Sequence, residues 1–188
     1  MADWLIIRLG DGDAATTYMV VDPAGRQVEA PRVAPLGDMR EHSAGRRVCA
    51  LVPGSDVLLT EAEVPARTTG ARLQQILPFA LEEQLAQDID GLHFAAGRRG
   101  ATASRTPTAV VSRALVDGWL QRLRAAGLEP EAIFADGNLL PAAPAQAVVL
   151  LDQDSVLLRP AGGQGMTLPL AALPEALELV QPLRKDPS

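Results

Sequence analysis

The residues best suited to chemistry lie in a short glycine- and aspartate-rich stretch, Gly10-Asp11-Gly12-Asp13, between two apolar runs at 4–9 and 16–22. A strand–turn–strand unit that presents an aspartate and backbone amides can hold a nucleotide phosphate, often through a metal ion. A Gly-Asp-Gly hairpin turn has the same composition for conformational reasons alone. The second loop of such a site would be Asp152-Gln153-Asp154-Ser155, which has no glycine to let a phosphate approach. The composition therefore favours a turn over a nucleotide site.

Four carboxylates, Glu82, Glu83, Asp88 and Asp90, form a second candidate group. They are too spread along the predicted helix to act as a paired acid and base, because Glu82 and Asp90 are separated by more than about two turns. One interpretation is a solvated helix face. The other is an electrostatic surface for a partner protein, because this face lacks the alternating lysines of an ordinary surface helix.

The single cysteine and the two histidines offer less. Cys49 lies in the apolar run 47–52, which predicts a buried strand with a small core thiol. His42 and His93 have no cysteine or histidine at the spacing of metal ligands, and His93 is predicted to lie half-buried or at a sheet edge. Asp136-Gly137-Asn138 follows a predicted strand and is either an acidic site or a turn. The usual nucleotide and nucleophile motifs are missing, so we expect no catalytic residue, cofactor or metal.

Composition limits the classes of function. Of 188 residues, 47% are hydrophobic and 21% charged, as in ordinary globular proteins of one domain or two small lobes. A net charge of −6 and an aromatic content of 3% argue against nucleic-acid binding. We see no signal peptide and no run near the roughly 20 apolar residues that span a bilayer. We expect a soluble protein of a reducing compartment.

The stretch from Leu73 to Asp90 has helical periodicity, and the predicted helix covers about 69–90. Thr68 or Thr69 is expected to cap its start, and Gly91 to end it in a left-handed conformation. Pro78 should kink the helix or split it near Leu77. The apolar stripe consists of Leu73, Leu77, Ala80, Leu81, Leu85 and Ile89.

The remaining pattern predicts mixed α and β structure. The first three strands, joined by tight turns, should form an antiparallel meander, and a helix over 113–126 should stop at Gly127. A second strand–turn–strand unit near the end echoes the first and suggests two related lobes. The predicted strands are 4–9, 16–22, 27–33, 48–52, 56–64, 92–96, 108–112, 131–135, 147–152, 155–160 and 166–170, with short helices near 35–44 and over 173–180.

Two ordered segments carry a resemblance to a known family. The first, 51–66, holds a Val-Pro-Gly strand turn. The second, 77–94, holds a Leu-Pro-aromatic-Ala-x-Glu-[Asp/Glu] helix start and an acidic-Leu-His-aromatic strand. Together they resemble the N-terminal cytoplasmic region of type II secretion system protein L. The resemblance extends from Trp4 to about Val180 and is weak at 35–46 and 97–105.

The resemblance implies an α/β (α+β) fold of the actin-like, ribonuclease-H type, with mixed sheets, helices and a small inserted strand–helix–strand–strand domain. It divides the chain into a first lobe of residues 1–55 and 113–145, an inserted domain of 56–112, and a second, incomplete lobe of 146–188. A chain of this kind would be the cytoplasmic part of a longer, single-pass inner-membrane protein.

The resemblance also implies a non-enzymatic adaptor without a cofactor. Its cytoplasmic domain would bind the N-terminal domain of the secretion ATPase, protein E, and Glu82, Glu83, Asp88 and Asp90 are the candidate contact. Protein M and the inner-membrane platform would be reached through regions beyond this chain, and a second copy is a further candidate partner. The alternative is an actin-like nucleotide-binding protein related to type IV pilus assembly proteins.

Overall fold

The structure is a computed structural model, and it describes residues 2–10, 16–100, 103–152 and 154–180. Most of the candidate phosphate loop, Asp11 to Asp13, lies outside the described residues, as does Gln153. Within the described part, no helix is long and apolar enough to cross a membrane.

The described chain contains eleven strands and four α-helices. The helices are α1 Met39–Ser43, α2 Gly70–Leu81, α3 Arg113–Ala125 and α4 Leu173–Val180. The strands are β1 Trp4–Arg8, β2 Thr16–Val21, β3 Gln27–Ala34, β4 Arg47–Val52, β5 Leu58–Glu63, β6 Leu92–Ala96, β7 Arg105–Ser112, β8 Ala132–Ala135, β9 Val148–Asp152, β10 Ser155–Arg159 and β11 Met166–Pro169.

A five-stranded mixed sheet with the order β3-β2-β1-β4-β8 contains the main core. Strand β1 is antiparallel to β2 and parallel to β4, so that Ile6 lies opposite both Met19 and Cys49. Strand β4 is also parallel to β8, and it is buried along nearly its whole length, which explains its continuous apolar sequence. Helix α3 contributes Trp119 and Leu123 to the same core.

A separate antiparallel sheet, β5-β7-β6, lies between β4 and α3 in the chain, and we call it the small sheet. Its buried residues alternate with exposed ones, as in β6, because only one face is covered. Helix α2 covers that face and buries Leu73, Leu77 and Leu81 against the sheet. The amphipathic pattern of the predicted helix therefore builds this second core.

The third sheet has the order β11-β10-β9 and is antiparallel throughout. Its central strand, β10, buries Val156, Leu157 and Leu158. The first and third sheets begin with the same local order, because each antiparallel meander leads through a 3₁₀ turn, at 36–38 or 170–172, into a helix. The predicted mixed α/β class is confirmed, whereas the division into domains stays a prediction.

The prediction of one helix over 69–90 is wrong in its second half. Helix α2 ends at Leu81, a 3₁₀ turn follows over Glu82–Gln84, and a second 3₁₀ turn covers Ile89–Gly91. The Asp88 carboxylate accepts a hydrogen bond from the backbone N–H of Asp90, a local bond that competes with continued helix. Gly91 closes that second turn instead of adopting a left-handed conformation.

The expected split at Pro78 is also wrong, since α2 runs through it. Loss of the backbone donor at proline costs about 3 kcal/mol. Burial of Leu77 and Leu81, both fully inaccessible to solvent, contributes roughly 3 to 6 kcal/mol together, which offsets that loss. Thr69 lies at the N-cap position as predicted, but its side chain makes no capping hydrogen bond.

Candidate functional site

A network of charged side chains joins the first sheet to the third. Arg8, at the end of β1, donates from Nη2 to the Oδ2 atom of Asp136 at 2.9 Å and from Nε to the same atom at 3.3 Å. The Nη1 group of Arg8 donates to Asp152, the last residue of β9. We call Arg8, Asp136 and Asp152 the arginine network.

Asp136 is the most enclosed member of the network, with 5% of its surface exposed. Its second carboxylate oxygen, Oδ1, accepts hydrogen bonds from the backbone N–H of Gly54 at 2.9 Å and the hydroxyl of Thr167 at 3.0 Å. Asp136 follows β8, Gly54 follows β4 and Thr167 lies in β11. One carboxylate therefore connects the first sheet, the turn before the small sheet and the third sheet.

The Arg8 guanidinium is partly buried, and this desolvation by itself lowers its pKa. Hydrogen bonds from Arg8 to Asp152 and Asp136, together with their negative charges, outweigh the desolvation and raise the pKa of Arg8 above its ordinary value. The guanidinium therefore stays charged and neutralises both carboxylates. Neither acid is left free to act as a base or to hold a cation.

Glycines allow the backbones to approach closely around Asp136. A Cβ atom on Gly54 would lie 2.3 Å from the Thr167 hydroxyl oxygen and 2.7 Å from the Asp136 Oδ1 atom. A Cβ atom on Gly165 would lie 2.0 Å from the main-chain oxygen of Gly137. Both contacts are shorter than any van der Waals separation, so these positions require glycine.

A cleft of about 530 Å³ opens beside the arginine network, where the two predicted phosphate loops begin. On one side, Gly10 offers a carbonyl that accepts two hydrogen bonds of 3.2 Å from the Arg122 guanidinium. On the other side, Asp152 is paired with Arg8. The ambiguous Asp136-Gly137-Asn138 segment is a 3₁₀ turn whose aspartate holds the structure together. Among the described residues, no group of three or more His, Cys, Asp and Glu could hold a metal ion.

The predicted partner-binding carboxylates lie on two turns that flank a short non-helical connection. We call residues 82–90 the acidic segment. Glu82 and Glu83 lie in the first 3₁₀ turn, Asp88 caps the second, and Asp90 lies within it; all four are exposed. Within the described part of the chain, none of these carboxylates lies within ion-pair distance of a basic group, although Arg113 donates to the main-chain carbonyl of Asp90 at 3.1 Å. The segment is thus a concentrated, uncompensated negative surface.

The cysteine and histidines are placed as their context predicts. Cys49 is buried in β4, and desolvation by burial raises the pKa of its thiol, which disfavours the nucleophilic thiolate. His42 packs its ring 4.9 Å from that of Tyr18, and its Nε2 atom lies 3.3 Å from the tyrosine hydroxyl. His93 is exposed on β6, an edge strand of the small sheet.

Sequence reasoning missed the role of Arg8. The available signal was one charged residue inside the otherwise apolar run of β1, since a charge in a buried strand needs a partner. Its partners could not be inferred from spacing, because Asp136 and Asp152 are 128 and 144 residues away.

Comparison with known proteins gives one consistent family. The family described as Type II secretion system (T2SS), protein L matches residues 5–185 of this chain. Type II secretion system protein L of Vibrio cholerae is 26% identical over 173 residues, which cover 89% of this chain and 42% of that relative. Its counterpart in Dickeya chrysanthemi is 35% identical over 117 residues, covering 62% of this chain and 28% of the relative. The chain spans less than half the length of both relatives.

Solved structures agree with the sequence comparison. The cytoplasmic domain of EpsL, described as an inner membrane component of the type II secretion system of Vibrio cholerae, superposes with a TM-score of 0.78 at 26% identity, covering 98% of this chain and 79% of that chain. A chain of the PilM–PilN type IV pilus biogenesis complex has a TM-score of 0.62 at 19% identity over 90% of this chain and 61% of its own length. At that identity the likeness concerns the fold alone. These likenesses confirm the predicted actin-like fold.

Proposed function

The chain belongs to the type II secretion system protein L family, and we propose that it acts there as a non-enzymatic adaptor at the cytoplasmic face of the inner membrane. In this role it binds the N-terminal domain of the secretion ATPase, protein E, and couples that motor to the membrane complex. The observation that carries the proposal is the family match over residues 5–185, together with the likeness to the cytoplasmic domain of EpsL.

The acidic segment is the proposed contact surface. Its four exposed carboxylates have no basic partner within ion-pair distance among the described residues, so an approaching basic surface would meet them at little cost in broken ion pairs. Electrostatic complementarity of this kind speeds association and selects the partner. Exposed charges are screened by salt, so the contribution of this segment should fall as ionic strength rises.

The arginine network supports the non-enzymatic part of the proposal. Acid–base catalysis and cation binding both need carboxylates that are free to take a proton or a metal ion. Asp136 and Asp152 are instead neutralised by Arg8, and Asp136 accepts two further hydrogen bonds. The cleft therefore serves to hold the sheets together.

Gel filtration with the N-terminal domain of the secretion ATPase tests the adaptor proposal. We expect a 1:1 complex with wild-type protein and a weaker complex after Glu82→Lys with Glu83→Lys. The matched control is Glu175→Lys with Glu178→Lys, which changes the net charge equally at two exposed positions of α4. Equal complex formation by both double variants would remove the acidic segment from the interface. Absence of any wild-type complex would contradict the adaptor role itself.

The alternative function, nucleotide binding, depends on the loop that contains Asp11. Titration with ATP and magnesium separates the two functions. We expect no saturable binding; micromolar binding that Asp11→Ala abolishes would favour the alternative. Contacts with protein M and the platform are proposed for parts of the full-length protein outside residues 1–188, and self-association remains a further proposal.

A further inference from the structure

An apolar groove of about 780 Å³ lies where the small sheet meets β11. Its walls come from the beginning of β5, the end of β7, the first turn of α3 and the beginning of β11. Three large apolar side chains that line it are notably exposed: Leu58 at 49%, Leu115 at 38% and Met166 at 38%.

These side chains form a shared apolar surface, because residues from three separate elements converge on one concavity. Isolated exposed leucines are ordinary on protein surfaces, whereas a contiguous apolar concavity marks a binding site. The groove volume is in the range of sites that enclose several side chains or a small ligand.

The acidic segment supplies another wall of the same groove. Leu85, Ala86 and Gln87 line it, and these three residues connect Glu83 to Asp88 in the chain. The apolar groove is therefore flanked by the exposed carboxylates on both sides of its wall. An occupant that matches this surface combines apolar side chains with basic residues beside them.

We propose that the groove receives an apolar anchor from a partner protein segment whose flanking lysines or arginines face the acidic segment. The inference rests on the proposed function, under which this segment belongs to the N-terminal domain of the secretion ATPase. An amphipathic segment laid into a groove places apolar side chains inward and charged ones at the rim.

A second copy of the chain fits the same surface poorly. This chain carries a net charge of −6, and a groove-to-groove pairing would bring two acidic segments towards each other. Like charges at an interface oppose association. The chemistry of the rim therefore favours a basic partner over self-association.

Leu115→Lys tests the groove directly, with Leu170→Lys as the matched control. Both leucines are exposed to nearly the same extent, 38% and 39%, but Leu170 does not line the groove. In calorimetric titrations with the ATPase domain, we expect Leu115→Lys to raise Kd by about tenfold or more, as for central interface residues, and Leu170→Lys to leave Kd within about twofold. Circular dichroism and melting curves establish that both variants are folded.

A second variant and a salt series separate the groove from the charges. Leu58→Ala, on the β5 wall, should raise Kd by about threefold to tenfold. Both groove variants should keep the salt dependence of wild type, whereas the Glu82→Lys and Glu83→Lys pair should reduce it.

Equal Kd values for the Leu115 and Leu170 variants, with tight wild-type binding, would overturn the groove inference and leave the adaptor role intact. Absence of wild-type binding would overturn both. A concentration-dependent dimer of wild type that Leu115→Lys abolishes would instead make the second copy the occupant and contradict the inference.

Discussion

Replacement of Asp136 by alanine should be the most destabilising single change at the arginine network. The substitution leaves the backbone N–H of Gly54 and the hydroxyl of Thr167 without their acceptor in a buried environment. It also removes one of the two carboxylates that neutralise Arg8, which keeps its pairing with Asp152.

The magnitude follows from these partners. A buried donor left unsatisfied costs about 1 to 1.5 kcal/mol at the lower end of the usual range, so the two donors account for about 2 to 3 kcal/mol. The Arg8 side chain is 38% exposed, so solvent screening limits the lost ion pair to about 1 kcal/mol. The free energy of unfolding should therefore fall by about 3 to 4 kcal/mol. For a chain of this size the melting temperature should fall by roughly 10 °C.

Urea unfolding followed by circular dichroism measures this change. Asp117→Ala is the matched control, because Asp117 is exposed on α3 and should alter stability by less than about 0.5 kcal/mol. A double-mutant cycle with Arg8→Ala should reveal coupling between Arg8 and Asp136. An Asp136→Ala protein as stable as the Asp117→Ala control would refute the structural role assigned to Asp136.

Two further predictions concern the backbone and pH. Gly165→Ala should lower the melting temperature, because the new Cβ would lie 2.0 Å from the Gly137 carbonyl oxygen; Gly37→Ala, with no atom within 4 Å, should not, and equal melting curves would contradict the close approach. Asp22 should titrate in NMR with a pKa below its ordinary value, because the backbone N–H of Arg26, then its guanidinium, donate to it. A depressed pKa contributes stability that is present above the unfolded pKa and is lost as pH falls through the folded pKa. An unshifted Asp22 midpoint would remove that contribution.

The apolar pattern was enough to predict most of the secondary structure. Continuous apolar runs predicted the buried strands β1 and β4, and the periodic stripe predicted that α2 covers a sheet. Gly127 ends α3 with a positive φ of 73°, as its position after the last apolar residue indicated.

Two kinds of feature escaped the sequence. The helix end at Leu81 depended on competition between helix propagation and the local hydrogen bond of the Asp88 side chain, which periodicity does not describe. The arginine network and the groove depended on contacts between residues more than a hundred positions apart, such as Arg8 with Asp136. Charge and composition could identify the acidic segment, but only the fold places an apolar groove beside it.

Calorimetric titration of the N-terminal domain of the secretion ATPase into this protein tests the adaptor role most directly. The account predicts saturable 1:1 binding with a Kd of about micromolar order, which weakens as salt is raised from low to about 0.5 M because exposed carboxylates contribute. It also predicts no saturable heat with ATP and magnesium. A titration without ATPase binding, or saturable nucleotide binding in its place, would contradict the adaptor role.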